Sequence, residues 1–167
     1  MAPIAYDNNL IPGTVNAWQI DQTLDFKQGQ FVKFVTANKN IAPATAVADG
    51  ALAVGVSQFT DPMESEPLGP NASRLEKGSV METGRFRFKG KDGETYTPRL
   101  AVEIDPTPAD GQSVRSNALG SNDPLNIVGY ISTDTPEAGI AVDVTTERRF
   151  VEVDINMLGL AVAHQTR

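Results

Sequence analysis

Residues 33–58 read KFVTANKNIAPATAVADGALAVGVSQ. The stretch opens on a β-type run, crosses small and turn-forming residues, and closes on a tight Val54–Gly55–Val56. No side chain of evident catalytic chemistry lies between. The opening run reaches back to Gly29. In GQFVKFVTA, Phe31 and Val35 fall on one face and Val32 and Phe34 on the other. Side chains alternate across a strand, so apolar residues on both faces predict a strand buried on both sides. Gly55 sits at the centre of the next run, ALAVGVSQF. Glycine inside a strand marks a bulge, a sharp bend or the close approach of another backbone.

The same texture runs through the whole chain. With 14 Gly and 11 Pro in 167 residues, turns punctuate it throughout. Val and Thr are plentiful, and helix-favouring blocks are scarce. This predicts an all-β protein, a compact β-barrel or β-sandwich with an extended N-terminal arm and a long internal loop. The arm is residues 1–16, where Ile4, Tyr6, Leu10 and Ile11 follow no clean period among prolines and asparagines. Residues 17–167 form the β-rich domain, opened by Trp18. Phe59 to Lys77, with three prolines and no periodicity, is the long loop; loops of that length usually serve a function or lack order.

Further strands follow from alternation. Arg85, Phe86, Arg87 and Phe88 predict a half-buried strand, and Asp92–Gly93 a tight hairpin with Tyr96 returning on the partner. In PRLAVEIDP, Leu100, Val102 and Ile104 define one face, leaving Glu103 and Asp105 on a solvated one. LNIVGYIST carries a central Gly129. TPEAGIAVDVTT predicts a strand with Ile140, Val142 and Val144 on one side. RRFVEVDINML closes the set with Phe150, Val151, Val153 and Ile155, and Glu152 and Asp154 on its solvated side. Two portions, 29–90 and 97–157, share an order of parts. FVKFV, AVGVS and EKGSVMETG in the first correspond to LAVEI, IVGYIS and EAGIAVDVTT in the second.

In the first portion, Gly29, Pro43–Ala44, Val54–Gly55–Val56 and Gly78 to Gly84 stand in a recurring order. This order resembles that of small bacteriophage head-decoration (capsid cement) proteins. Those chains read G-x-x-V, then Pro-Ala, then Ile-Gly-Val-Ser, then Gly-x-x-Val-x-Val-x-Gly. The match covers residues 29–84 and is made of common residues. The resemblance implies a β-rich fold, binding to the major capsid protein on the outer surface of an icosahedral virion shell, self-association as a homo-oligomer (a trimer) and no enzymatic activity. It also sets this chain apart by its length and its Phe59–Lys77 loop.

Composition and motifs narrow the alternatives. A net charge of −7 argues against nucleic-acid partners, which draw on clustered cations. The basic clusters at Arg85–Lys91 and Glu147–Arg149 lack stacked aromatics. The absence of cysteine excludes disulfides, zinc-thiolate sites and cysteine nucleophiles. No apolar run is long enough to cross a bilayer as a helix. The N-terminus lacks a basic start followed by an apolar core, which predicts synthesis in the cytoplasm without a secretion signal. His164 is the only histidine, and no phosphate-binding loop or nucleophile elbow is present. No catalytic, cofactor-binding or metal-binding residue is therefore assigned. Partner contact is assigned to Ile4, Tyr6, Leu10 and Ile11, with Trp18 as anchor. A tail, baseplate or fibre component is the alternative. A carbohydrate-binding β domain ranks behind it, because one Trp and three Tyr supply an aromatic cleft poorly.

Overall fold

The computed structural model describes residues 13–61, 75–133, 139–146 and 149–157, and the backbone of 9–11. Among them run eleven strands: β1 (Asn9–Ile11), β2 (Val15–Gln19), β3 (Phe31–Val35), β4 (Asn40–Pro43), β5 (Ala53–Ser57), β6 (Lys77–Met81), β7 (Thr83–Gly90), β8 (Ala101–Ile104), β9 (Ser113–Ser116), β10 (Ile127–Ile131) and β11 (Phe150–Asn156). Two short 3₁₀ helices, Val47–Leu52 and Pro124–Asn126, lead directly into β5 and β10.

The strands form two sheets of equal plan. One has the order β2-β6-β5-β3-β4, the other β7-β11-β10-β8-β9, with β1 added outside β7. Each strand of the second is the strand five places later than its counterpart in the first. All these neighbours are antiparallel. The second sheet closes into a five-stranded barrel through a parallel pairing of β7 with β9, Lys89 opposite Ser113 and Gly90 opposite Val114. In the first, the equivalent contact is one parallel bridge, Ile20 to Ile41.

The glycine-centred runs explain how each sheet curls. In the first, Val32 faces Gly55 and Lys33 faces Ala53, which leaves Val54 as an extra residue. In the second, Val102 faces Gly129 and Glu103 faces Ile127, which leaves Val128 extra. An extra residue bends the strand and increases its twist, as barrel closure requires. The bend brings the next strand close. A Cβ on Gly55 would lie 2.3 Å from the Met81 carbonyl oxygen, and one on Gly129 would lie 2.7 Å from that of Asp154. Only glycine fits either place.

Burial follows the bulge. Val32 and Val54 belong to a smaller core with Ile20, Phe26, Ile41, Phe59 and Val80. Phe31, Ala53 and Val56 point the other way, into a larger core with Phe86, Phe88, Tyr96 and Val102. Strand β3 is thus buried on both faces at Phe31 and Val32, and half-buried from Lys33 to Val35. Phe31 stacks on Phe88 with ring centroids 4.4 Å apart, so a side chain of the first sheet enters the core of the second. Each such buried aromatic contributes about 1.5–3 kcal/mol by leaving water, more than a surface contact supplies. The two 3₁₀ helices also meet, since a Cβ on Gly50 would lie 2.5 Å from the Asn126 carbonyl oxygen.

Several local expectations fail, some for non-local reasons and one for a competing turn. Asp92–Gly93 does turn, with Gly93 at φ 79, but no hairpin follows. The neighbours of β7 are β1, β11 and β9. Tyr96 instead drops into the core, where its hydroxyl donates to the Val114 carbonyl (3.1 Å) and accepts from the Lys91 amide (2.9 Å). Residues 139–146 form no strand beyond an isolated Thr95–Ala141 bridge. Val142 is buried, whereas Ile140 and Val144 are exposed. The Asp143 side chain accepts the Thr145 amide at 2.9 Å, a turn that competes with a ladder. The counterpart of β6 is therefore β11, not EAGIAVDVTT. Of the Phe59–Lys77 loop, 62–74 lie outside the described residues. At its ends Phe59 packs 5.2 Å from the Phe26 ring and Lys77 begins β6.

The two bulges generate a paired expectation. Gly55→Ala and Gly129→Ala should each destabilise the fold by about 2–3 kcal/mol through overpacking. Gly93→Ala, at positive φ but with open space around it, should cost only about 1 kcal/mol. Urea unfolding of the three variants checks this; a Gly55 or Gly129 variant no weaker than the Gly93 variant contradicts it.

Candidate functional site

The residues assigned to partner contact lie around the N-terminal segment. Ile4 and Tyr6 fall outside the described residues. Leu10 and Ile11 belong to β1, whose backbone pairs with the chain's own β7, Asn9 opposite Phe86 and Ile11 opposite Arg85. The segment then crosses from one sheet to the other. The Thr14 amide donates to Thr83 Oγ1 at 2.8 Å, and the Glu82 amide donates to the Thr14 carbonyl at 2.8 Å. Strand β2 follows at the edge of the first sheet, with all of it exposed except half-buried Trp18.

Trp18 is an anchor within the chain. Its ring lies 6.0 Å from Phe34, and its Nε1 donates to Glu82 Oε1 at 3.2 Å. Asn16 donates to the other Glu82 oxygen at 2.8 Å. Glu82 is itself buried, between β6 and β7, and its carbonyl accepts the Met157 amide at 2.9 Å. The Glu82 carboxylate thus ties the N-terminal strand to the joint between the sheets, while its backbone carbonyl ties that joint to the end of β11. A buried charge is tolerable because each oxygen has a donor.

Glu103 corrects the expectation of a solvated acidic face. Its side chain is fully buried. Arg115 Nε donates to Oε1 at 2.8 Å, Asn117 Nδ2 donates to Oε2 at 2.9 Å, and the Ser121 amide and hydroxyl also donate. The turn after β9 covers this face of β8, so alternation located the face but not its cover. Asp105 is buried too, accepting the Thr107 amide at 3.1 Å. On β11 the second acidic pair faces β7: Asp154 meets Arg85 at 2.7 Å and Glu152 meets Arg87 at 3.9 Å. The alternating Arg85 and Arg87 are thereby partnered across the sheet rather than free.

Lys33, the counterpart of Glu103 by register, carries the opposite charge and meets Asp49 at 2.6 Å. Asp49 also accepts the Thr45 and Ala46 amides, both at 3.0 Å, at the start of the first 3₁₀ helix. Burial works to raise its carboxyl, but the Lys33 and backbone hydrogen bonds outweigh burial and hold it below the usual carboxylate range. Burial pushes the Tyr96 phenol far above its ordinary range. Among the described residues no three His, Cys, Asp or Glu side chains cluster as metal ligands. His164 lies outside them.

Exposed apolar side chains were not legible in the sequence. Leu52 and Leu125 lie on the two 3₁₀ helices that meet, Leu119 on the turn covering Glu103, and Tyr130 on the outer face of β10. Leu119 is 74% exposed. Periodicity could not mark them, because they sit in turns or on a face whose cover is set elsewhere in the chain.

Comparison with protein-family models and with curated proteins gives no match. Among solved structures, the chain is similar to the pre-mature gene product 12 of bacteriophage phi29, with a TM-score of 0.47 and 11% identity. The likeness covers 89% of this chain and 22% of that one, so the chain spans about a fifth of that protein's length.

Two expectations follow from the carboxylates. Glu103→Ala strands Arg115 and Asn117 without their acceptor and should cost about 3–5 kcal/mol. Asp154→Ala, at a half-exposed pair, should cost under about 1 kcal/mol. Chemical denaturation compares them; equal losses contradict the assignment. Because the fold favours ionised Asp49, its contribution is complete above the unfolded value of about 4 and fades as pH falls through the lower folded value. Asp49→Asn should therefore cost about 1 kcal/mol at neutral pH, with the gap closing as pH falls through the lowered folded value. A gap that persists in acid, measured by thermal melts across pH, contradicts this.

Proposed function

We propose that the protein is a capsid decoration protein, which binds the outer surface of an assembled icosahedral head and bridges neighbouring major capsid subunits. One observation carries the reading. Gly29, Pro43, Ala44, Val54 to Val56 and Gly78 to Gly84 bear the resemblance to head-decoration proteins; the stretch up to Met81 falls within or beside strands β3 to β6 of one compact sheet, and the last part leads into β7 of the other. Gly55 shapes the first sheet's bulge, and Gly78 makes room for Phe59, whose ring a Cβ there would meet at 2.1 Å. The motif thus frames the first sheet and its passage into the second, with Val56 packed into the core the two share.

The surface suits that role. Exposed β2 offers an edge, and Leu52, Leu119, Leu125 and Tyr130 offer apolar anchors. A protein that binds only the assembled shell stabilises it by linkage, and every copy adds its share. Association of the decoration protein with itself as a trimer would place three such surfaces around one symmetry axis. In this reading the chain carries out no reaction.

The test is co-sedimentation with purified heads and the temperature at which those heads rupture. The wild-type chain should bind and raise it. Removing residues 2–8 spares β1 and should weaken binding by at least about tenfold if the leading segment contributes, as should Leu52→Ser with Leu125→Ser, with folding retained. Heads that rupture at the same temperature with and without bound protein contradict the proposal; binding to tails alone favours a tail component.

A further inference from the structure

The parallel closure of the second barrel leaves a cleft of about 630 Å³. Its charged lining is Lys89, Lys91, Arg115 and Arg149, with Asp92 and Asp105. We propose that this cleft docks a carboxylate, presented by an acidic side chain on a segment of a partner protein.

Four observations lead there. First, Arg149 Nε is buried and has no hydrogen-bond acceptor among the described residues. Its guanidinium is held over the Phe150 ring at 4.8 Å. A buried guanidinium N–H without an acceptor is a donor in want of one. Second, the cations around it are pre-positioned. Arg115 is fixed by the fully buried Glu103 at 2.8 Å, and Lys89 by Asp110 at 2.8 Å. Lys91 is exposed at the rim. Third, the two acids of the lining are already engaged by backbone donors. Asp105 accepts the Thr107 amide at 3.1 Å and Asp92 the Val144 amide at 3.3 Å. Fourth, the first sheet has a cleft of about 330 Å³ at the corresponding closure, lined by Gln19, Ile20, Gln22, Asn40 and Glu76. It contains no cation. Glu76 stands just before β6 as Arg149 stands just before β11. The same place in two sheets of equal plan thus carries opposite chemistry.

The lining also selects among anions. Asp92 and Asp105 within the cleft, and a chain of net charge −7, oppose a polyanion such as a nucleic-acid backbone. A single carboxylate fits, and Arg presents it a planar fork of donors. Exposed Val144 and Pro108 in the wall add apolar surface for the neighbours of an acidic residue in a peptide. The inference is independent of the capsid reading.

Nitrogen-15 NMR of the full chain provides the test. The probes are a short blocked peptide with one central glutamate, its glutamine counterpart, succinate and inorganic phosphate, all at matched ionic strength. The glutamate peptide is expected to shift the Arg149 Nε–H signal and the Lys91 and Ser113 amides, and to bind at least about tenfold more tightly than the glutamine peptide. Arg149→Met should weaken it by about tenfold or more and Lys91→Ala by a few-fold, while Glu76→Gln leaves it unchanged. Thermal unfolding monitors folding, and Lys91→Ala decides the matter if Arg149→Met fails to fold. Absent shifts, equal response to the glutamine peptide, or affinity unchanged by these cationic substitutions overturns the proposal. Tighter binding of phosphate overturns the carboxylate, and binding of succinate alone overturns the protein segment as its source.

Discussion

Everything in this molecule depends on two places where backbones touch. At Gly55 and at Gly129, a strand with one extra residue bends until the neighbouring strand's carbonyl occupies the space of a missing side chain. That bend lets a short antiparallel sheet curl back and meet its own first strand through parallel contacts. The curl in turn makes an inside and an outside. Val32 and Val54 fill one interior, Val102 and Val128 the other. The outside of the first sheet is not left to water either, because Phe31 and Val56 join the larger core.

Charge then fixes what packing leaves open. Lys33 and Glu103 are register equivalents on the outer faces, and each is bound by an opposite charge from the following segment. In the first sheet that partner comes from a 3₁₀ helix, in the second from β9. A buried ion pair is a modest source of net stability but penalises any arrangement that leaves one member alone. Glu82 fixes the joint without an opposite charge: its carboxylate holds Asn16 and Trp18 of β2, and its backbone holds Thr14 and Met157. Among the described residues, Asp49, Glu82 and Glu103 thus hold strands and turns in place.

Alternation made much of this readable. Phe86 and Phe88 on β7, Val151, Val153 and Ile155 on β11, and the two-faced β3 were legible because strand period depends on local geometry alone. The glycines of VGV and VGY were legible for the same reason, and they fall at equivalent points of the two sheets. What covers each face was not legible. Glu103 looks solvated until the turn 117–121 closes over it, and Tyr96 looks like a returning strand until the core claims it. Both depend on partners many residues away. The cleft at Arg149 was hidden more deeply, since its lining comes from the end of β7, the β8–β9 loop, β9, and the stretch that leads to β11.

If the outward residues serve an assembled shell, the molecule's place on that shell is directly visible. Electron microscopy of heads with and without the protein, reconstructed with icosahedral symmetry, measures it. The account predicts extra density on the outer surface, bridging adjacent capsid subunits and large enough for paired β units. Identical reconstructions, or added density confined to the tail, would contradict it.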